Sequence, residues 1–102
     1  MSIFKPISEK QAKGKVKKIF NEIKHARKIK KIPNFWKTLA NNPETLERTW
    51  TSLQQVMKKG ALDPMIKELI YVAVSITNNC EYCIKSHSLA AKKKGATNAM
   101  LN

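Results

Sequence analysis

The sequence has few of the residues that interrupt a chain, and it has no long hydrophobic run. Three glycines and four prolines among 102 residues, 42% of them hydrophobic, exclude a disordered or low-complexity protein. The longest apolar run, residues 69–74, is far shorter than the roughly 20 residues that cross a bilayer. The first ten residues also lack the apolar centre of a signal peptide. We therefore expect a cytoplasmic protein without a membrane segment, folded as a single domain over residues 1–102.

Arginine is scarce as well. The basic residues behind the net charge of +13 are eighteen lysines and only two arginines. Residues 1–31 hold eleven basic and two acidic side chains, a net charge of +9. Clustered lysines attract polyanions such as nucleic acid, but base recognition and phosphate forks favour arginine. A solvated helical face is therefore the better interpretation of this segment, and binding of nucleic acid is a weaker alternative.

Alternating polar and apolar residues, which would indicate strands, are absent, whereas apolar residues recur at helical spacing throughout. We predict an all-α fold, a compact antiparallel helical domain. The start and stop signals predict a helix over about 9–25 opened by a Ser8–Gln11 capping box, a loop to Pro33, a short helix capped by Asn34, a helix from Asn42-Pro43 to Gly60, a helix over 64–78, a helix over 80–94 capped by Asn78 or Asn79, and a further N-cap at Thr97.

The helix predicted over residues 64–78 is apolar on most sides, so we expect it in the middle of the core. Glu68 is its only acidic residue and shares a polar stripe with Tyr71 and Ser75. A carboxylate in so apolar a helix is costly unless it has a partner. The sequence therefore predicts a specific partner for Glu68.

Both cysteines and one of the two histidines lie in the segment NNCEYCIKSH, residues 78–87. Cys80, Cys83 and His87 stand at i, i+3 and i+7 of one predicted helix, so they share a face. The first helical turn favours a thiolate, and an imidazole exchanges protons near neutral pH. In an antiparallel pair of helices Glu68 would approach His87 and orient its ring. This set of side chains indicates thiol redox chemistry at the start of a helix.

The spacing of Glu68, Cys80, Cys83 and His87 resembles the signature of the AhpD-like branch of the carboxymuconolactone decarboxylase superfamily. The flanking segments IPNFWKTLANNPETL, ITNNCEYC and KKGAT are similar to that family too. The likeness extends from about Ile32 to Thr97. A pair of cysteines alone would be much less specific than four residue types at three fixed spacings.

The resemblance implies an antioxidant alkylhydroperoxidase-like enzyme that reduces hydroperoxides through a dithiol and its disulfide, without a cofactor. By analogy, Cys83 is the peroxidatic thiolate and Cys80 resolves its sulfenic acid, while Glu68 and His87 relay protons through a water between them. The resemblance further implies a homo-oligomer, a trimer or hexamer, because a small protomer leaves apolar faces to cover. Its reductant would be a lipoyl-bearing or thioredoxin-like protein.

Two features depart from the family pattern. Tyr82 stands where the best known peroxidase of the family has a histidine, and a tyrosine donates hydrogen bonds but is no base near neutral pH. We assign Tyr82 a supporting role. The chain also ends at Asn102, so we expect that the usual C-terminal helix is missing. The decarboxylase branch lacks the cysteine pair, which disfavours lactone decarboxylation here.

Two other interpretations of the cysteines stay open at this point. Cysteines in helices are often only small core residues. Cys80, Cys83 and His87 are also plausible zinc ligands, although a fourth ligand is not evident and His25 lies far away in the basic segment. The alternative function from another class is thus a basic polyanion- or zinc-binding helical module without redox turnover.

Overall fold

Six helices make up all the regular secondary structure of residues 4–102, the part of the chain that a computed structural model describes. The all-α class is therefore confirmed. Two compact units are present, one ending at Gln55 and the other formed by Val56–Asn102. The single domain predicted over 1–102 includes residues 1–3, which lie outside the described residues, and it stays a prediction. The helices are α1 (Gly14–Arg27), α2 (Asn34–Leu39), α3 (Pro43–Met57), α4 (Pro64–Thr77), α5 (Glu81–Lys93) and α6 (Asn98–Leu101).

The N-terminal unit is built around a core that the helical periodicity of α1 predicts. Trp36 of α2 and Trp50 of α3 meet edge to face in this core, with ring centroids 5.5 Å apart. Both tryptophans belong to the core, since they are 2% and 3% exposed. Around them pack the buried apolar residues Ala12, Val16, Ile19, Phe20, Ile23, Ile32, Ala40 and Leu46.

The start of α1 differs from the prediction. Ser8 and Gln11 do form the reciprocal bonds of a capping box, at 3.0 and 3.2 Å, but these bonds close a separate turn. The helix itself begins only at Gly14, whose backbone is left-handed with φ of +53°. Glycine adopts this conformation without a steric penalty. Gly14 thus separates the capped turn from the helix that the turn was expected to open.

Lysines of the basic N-terminal segment are partly neutralised by acids of the same unit. Lys15 pairs with Glu44 at 2.8 Å and with Glu47 at 3.3 Å, and Lys24 pairs with Glu9. These ion pairs are solvent-accessible and contribute little to stability. They nevertheless reduce the local charge of the lysine-rich face.

The N-termini of the helices that begin next to a proline have the predicted side-chain caps, with one exception. The side chain of Asn42 accepts the amide hydrogens of Glu44 and Thr45 at 3.1 and 3.2 Å, and Asp63 accepts that of Met65 at 2.8 Å. The exception is α2, which Pro33 precedes as N-cap, so that Asn34 is its first helical residue rather than its cap. At the C-terminal end, Thr97 caps α6 as predicted.

In the C-terminal unit α4 and α5 pack against each other as an antiparallel hairpin. The turn between them depends on Asn79, whose φ of +55° lies in the left-handed region. The backbone then brings the Cys80 amide onto the Ser75 carbonyl at 3.0 Å. Because Asn79 belongs to this turn, neither Asn78 nor Asn79 caps α5; the N-cap is Cys80 itself.

The prediction that α4 lies in the middle of the core is wrong. Val72 and Ser75 are buried on the side of α4 that also carries Glu68. The opposite face is solvent-accessible, because Ile66, Ile70 and Val74 are 38%, 49% and 51% exposed. An apolar composition predicts that the faces of a helix are shielded from water, but it does not show what shields them. No helix in the described residues is long and apolar enough to cross a membrane.

Candidate thiol redox site

The two cysteines lie where α5 begins. Cys80 is the N-cap and Cys83 is in the first turn, with their Cα atoms 5.3 Å apart, and the structure joins them in a disulfide. This separation is within the ordinary range for a disulfide. The Cys80 Sγ atom also accepts the backbone amide of Cys83 at 3.2 Å. The sulfur of Cys80 therefore takes the place that a serine or asparagine oxygen takes at other helix starts.

Glu68 of α4 and His87 of α5 meet inside the hairpin. The Glu68 Oε1 atom lies 2.8 Å from His87 Nδ1, and the two residues are only 4% and 5% exposed. The partner that the sequence predicts for Glu68 is thus His87. The contact is a direct hydrogen bond, so it does not run through the water that was expected between the two side chains.

Tyr71 contacts a face of the His87 imidazole ring. Its ring stacks on that of His87 with centroids 3.6 Å apart and an angle of 15° between the planes. One turn later on α4, the Ser75 hydroxyl donates to the Tyr71 carbonyl at 2.7 Å. Of the polar stripe of α4 predicted from Glu68, Tyr71 and Ser75, the first two therefore contact His87 of α5, and Ser75 is buried on the same side of α4.

Lys94 is the member of this cluster that the sequence analysis missed. It is the C-cap of α5, and its Nζ atom lies 3.1 Å from the Glu68 Oε2 atom. A lysine at this position is also suited to the negative C-terminal end of a helix. The available signal was its spacing, because Lys94 stands seven residues after His87 and so two turns along the same face.

The electrostatics favour an ionised Glu68. Burial raises the pKa of its carboxyl, but the hydrogen bonds from His87 and Lys94, with the charge of Lys94, outweigh burial and leave that pKa below its usual value. An ionised carboxylate only accepts hydrogen bonds. We therefore assign the proton of the contact to Nδ1 of His87; in the uncharged imidazole the lone pair then lies on the Nε2 atom.

The two remaining candidate residues, Tyr82 and His25, are exposed, unlike Glu68 and His87. Tyr82 lies in the first turn of α5 and is 41% exposed. His25 is exposed on α1 in the N-terminal unit, as expected. Across residues 4–102, no group of three histidine, cysteine or acidic side chains is arranged to hold a metal ion.

Comparison with known proteins agrees with this fold. Residues 43–102 match the sequence profile of the carboxymuconolactone decarboxylase family. The chain is similar to a crystal structure described as the alkylhydroperoxidase AhpD core from Rhodospirillum rubrum, with 41% identity and a TM-score of 0.85, covering 98% of this chain and 76% of that one.

A curated relative, "Uncharacterized protein 4 in cox locus" of Paracoccus denitrificans, is 44% identical over 46 residues. The match covers 45% of this chain and 41% of the relative, so the chain spans about two fifths of that protein. The chain belongs to the carboxymuconolactone decarboxylase family. Within that family it is a member of the AhpD-like branch.

Proposed function

We propose that this protein is a thiol-dependent oxidoreductase of the alkylhydroperoxidase type, in which Cys80 and Cys83 reduce hydroperoxides and Glu68 and His87 relay protons. The observation that carries the proposal is the buried Glu68–His87 hydrogen bond one helical turn beyond Cys83. A histidine oriented by a carboxylate is a general base for a nearby nucleophile. Cysteines that only fill a core would not require such a pair.

In the first step of the proposed reaction, His87 takes the proton of the Cys83 thiol through Nε2. The thiolate attacks one oxygen of the hydroperoxide, the O–O bond breaks, and Cys83 becomes a sulfenic acid. The departing alkoxide takes the proton back from His87 and leaves as an alcohol. The peroxide has then gained two electrons, and the Cys83 sulfur has lost two.

In the second step the Cys80 thiol gives up its proton, its sulfur attacks the sulfenic sulfur, and the leaving hydroxide takes up that proton and departs as water. The product is the Cys80–Cys83 disulfide, the form that the structure holds. The Cys83 amide that contacts the Cys80 sulfur, together with the start of α5, favours a thiolate at Cys80. A reductant with two thiols, of the lipoyl-bearing or thioredoxin-like kind, returns the two electrons by thiol–disulfide exchange.

Tyr82 is assigned a supporting role next to the reacting sulfurs. It precedes Cys83 directly and is partly accessible to solvent. Its hydroxyl is able to donate a hydrogen bond to an oxygen of the substrate, but it does not act as a base near neutral pH. We propose that the relay of Glu68 and His87 carries the proton transfers without it.

The cell compartment and the assembly are part of the same proposal. A dithiol that must be re-reduced in each cycle requires the reducing environment of the cytoplasm. The exposed face of Ile66, Ile70 and Val74 supports a homo-oligomer, a trimer or a hexamer, in which this face is covered.

The proposal is tested by adding a hydroperoxide to the fully reduced protein. We expect two titratable thiols to disappear and the mass of the intact chain to fall by two hydrogens, as one internal disulfide forms. Cys83→Ser should abolish peroxide consumption. Cys80→Ser should consume one equivalent and accumulate a sulfenic acid, which dimedone labels. Both thiols remaining reduced under excess hydroperoxide would contradict the proposed function.

A further inference from the structure

The two carboxylate oxygens of Glu68 contact two different basic side chains. Oε1 accepts from His87 Nδ1 at 2.8 Å, and Oε2 accepts from Lys94 Nζ at 3.1 Å. The carboxylate end of Glu68 is 5% exposed, whereas the Lys94 side chain is 41% exposed. The ammonium therefore reaches a buried carboxylate from the solvent side of the hairpin.

A buried carboxylate beside an imidazole has two ways of losing its uncompensated charge when it has no other cation. The histidine can take a second proton and become an imidazolium, or the carboxyl can take the proton itself. An imidazolium has no lone pair for a thiol proton. A protonated carboxyl instead donates to Nδ1, which moves the ring proton to Nε2. Both outcomes remove the base that the proposed reaction needs.

We propose that Lys94 is a positioning residue of the thiol site, and the role rests on the proposed function. Its ammonium supplies the positive charge for the Glu68 carboxylate, so that His87 stays an uncharged imidazole with Nδ1–H on Glu68 and an unprotonated Nε2. The lysine thereby selects the tautomer that can receive a proton from the thiol. It acts through Glu68 and touches neither substrate nor sulfur.

The lysine that stands next to Glu68 in the sequence does not take this position. Lys67 precedes Glu68 directly, but its ammonium donates to the carbonyls of Val56 and Lys58, at 2.9 and 2.7 Å. Tyr71 covers a face of the His87 ring by stacking and supplies no positive charge. Among the described residues, Glu68 and Tyr71 of α4 contact His87 directly, Lys94 contacts Glu68, and Cys80 and Cys83 stand on the same helix face as His87.

The first test compares pH profiles of thiol oxidation by a hydroperoxide in three variants. Lys94→Met removes the charge and keeps the aliphatic stem, Lys94→Arg restores a cation, and Lys92→Met removes an exposed charge from the last turn of the same helix. We expect Lys94→Met to react about tenfold more slowly at neutral pH, with its acidic limb moved about one unit upward. Lys94→Arg should recover most of the rate, and Lys92→Met should stay within about twofold of the unmodified chain.

The second test reads the tautomer directly and does not depend on turnover. Nitrogen-15 NMR of the imidazole is recorded at pH 7 in a His25→Asn background, so that His87 is the only histidine. The unmodified relay should show a protonated Nδ1 and an unprotonated Nε2, and Lys94→Met should show a protonated Nε2. A protonated Nε2 with Lys94 in place overturns the assignment, even where the variant fails to fold.

The two tests separate this inference from the proposed function. If the unmodified chain does not consume peroxide but Lys94→Met changes the tautomer as expected, the peroxidase proposal fails and the Lys94 assignment stands. If the chain is active and Lys94→Met matches Lys92→Met in both its pH profile and its NMR spectrum, the Lys94 assignment is wrong.

Discussion

At the scale of single residues, the site is a series of hydrogen bonds and a ring contact around one imidazole. Glu68 accepts from His87 and Lys94 at the same time, and Tyr71 fixes the imidazole from its face. Spacing alone predicts Glu68 and His87 because both stand on helix faces directed at each other. Spacing places Lys94 on the face of α5 that carries His87, but it does not predict the contact with Glu68, because the long flexible stem of a lysine, and not helical register, decides where its ammonium lies.

Acid sensitivity follows from the lowered pKa of Glu68. Its ionised form is stabilised in the folded chain, so the contribution to stability is full above the ordinary carboxyl pKa of about 4.5 and is lost as the pH falls through the lower folded pKa. We expect Glu68→Gln to lower the free energy of unfolding by ~2 kcal/mol at pH 7, because a charge-assisted hydrogen bond is lost. That difference should shrink below about pH 4.5.

Urea unfolding at a series of pH values measures this effect. Glu81→Gln is the matched control, since Glu81 is an exposed carboxylate on α5. A Glu68→Gln penalty that stays constant down to pH 3, or that grows on acidification, would contradict the assigned ionisation.

At the scale of elements, the turn between α4 and α5 decides where the sulfurs lie. Sequence signals correctly place a helix start next to the cysteines but assign the cap to an asparagine, because asparagine is common at both kinds of position. What the pattern does not show is that Asn79 is left-handed, with φ of +55°. With Asn79 used in the turn, the capping position moves one residue on, to Cys80.

This turn gives a second stability prediction. Asn79→Ala should destabilise the fold by ~1 kcal/mol, because a left-handed backbone is unfavourable for a residue with a Cβ that lacks the local hydrogen bonds of asparagine. Asn79→Gly should be neutral or nearly so. Asn78→Ala is the control, since Asn78 has a φ of −86°. Thermal unfolding of the three variants checks the order, and equal effects of Asn78→Ala and Asn79→Ala would refute it.

At the scale of the whole molecule, composition predicts the fold class well, but it does not predict what surrounds each helix. Helical periodicity and the near absence of breakers correctly predict an all-α chain. The same apolar composition wrongly places α4 inside the protomer, where Ile66, Ile70 and Val74 are exposed. Burial in a partner subunit and burial in a core have the same sequence signature, so a single sequence does not separate them.

The proposed oligomer is tested on this exposed face. Ile70→Lys should lower the mass measured by light scattering from that of the assembly towards the 11.6 kDa of one chain, because it places a charge at the centre of the apolar face. Thr51→Lys, an exposed change on α3, is the control. Since each chain carries +13, the assembly should also tighten with added salt. A monomeric mass for the unmodified chain at high salt would exclude the oligomer.

The contacts that build the proposed relay connect residues only 19 and 26 positions apart, all within the hairpin formed by α4 and α5 with its C-cap. Contacts over such short stretches of chain close rapidly and at a small cost in loop entropy. The reactive geometry is therefore a product of local folding within residues 64–94.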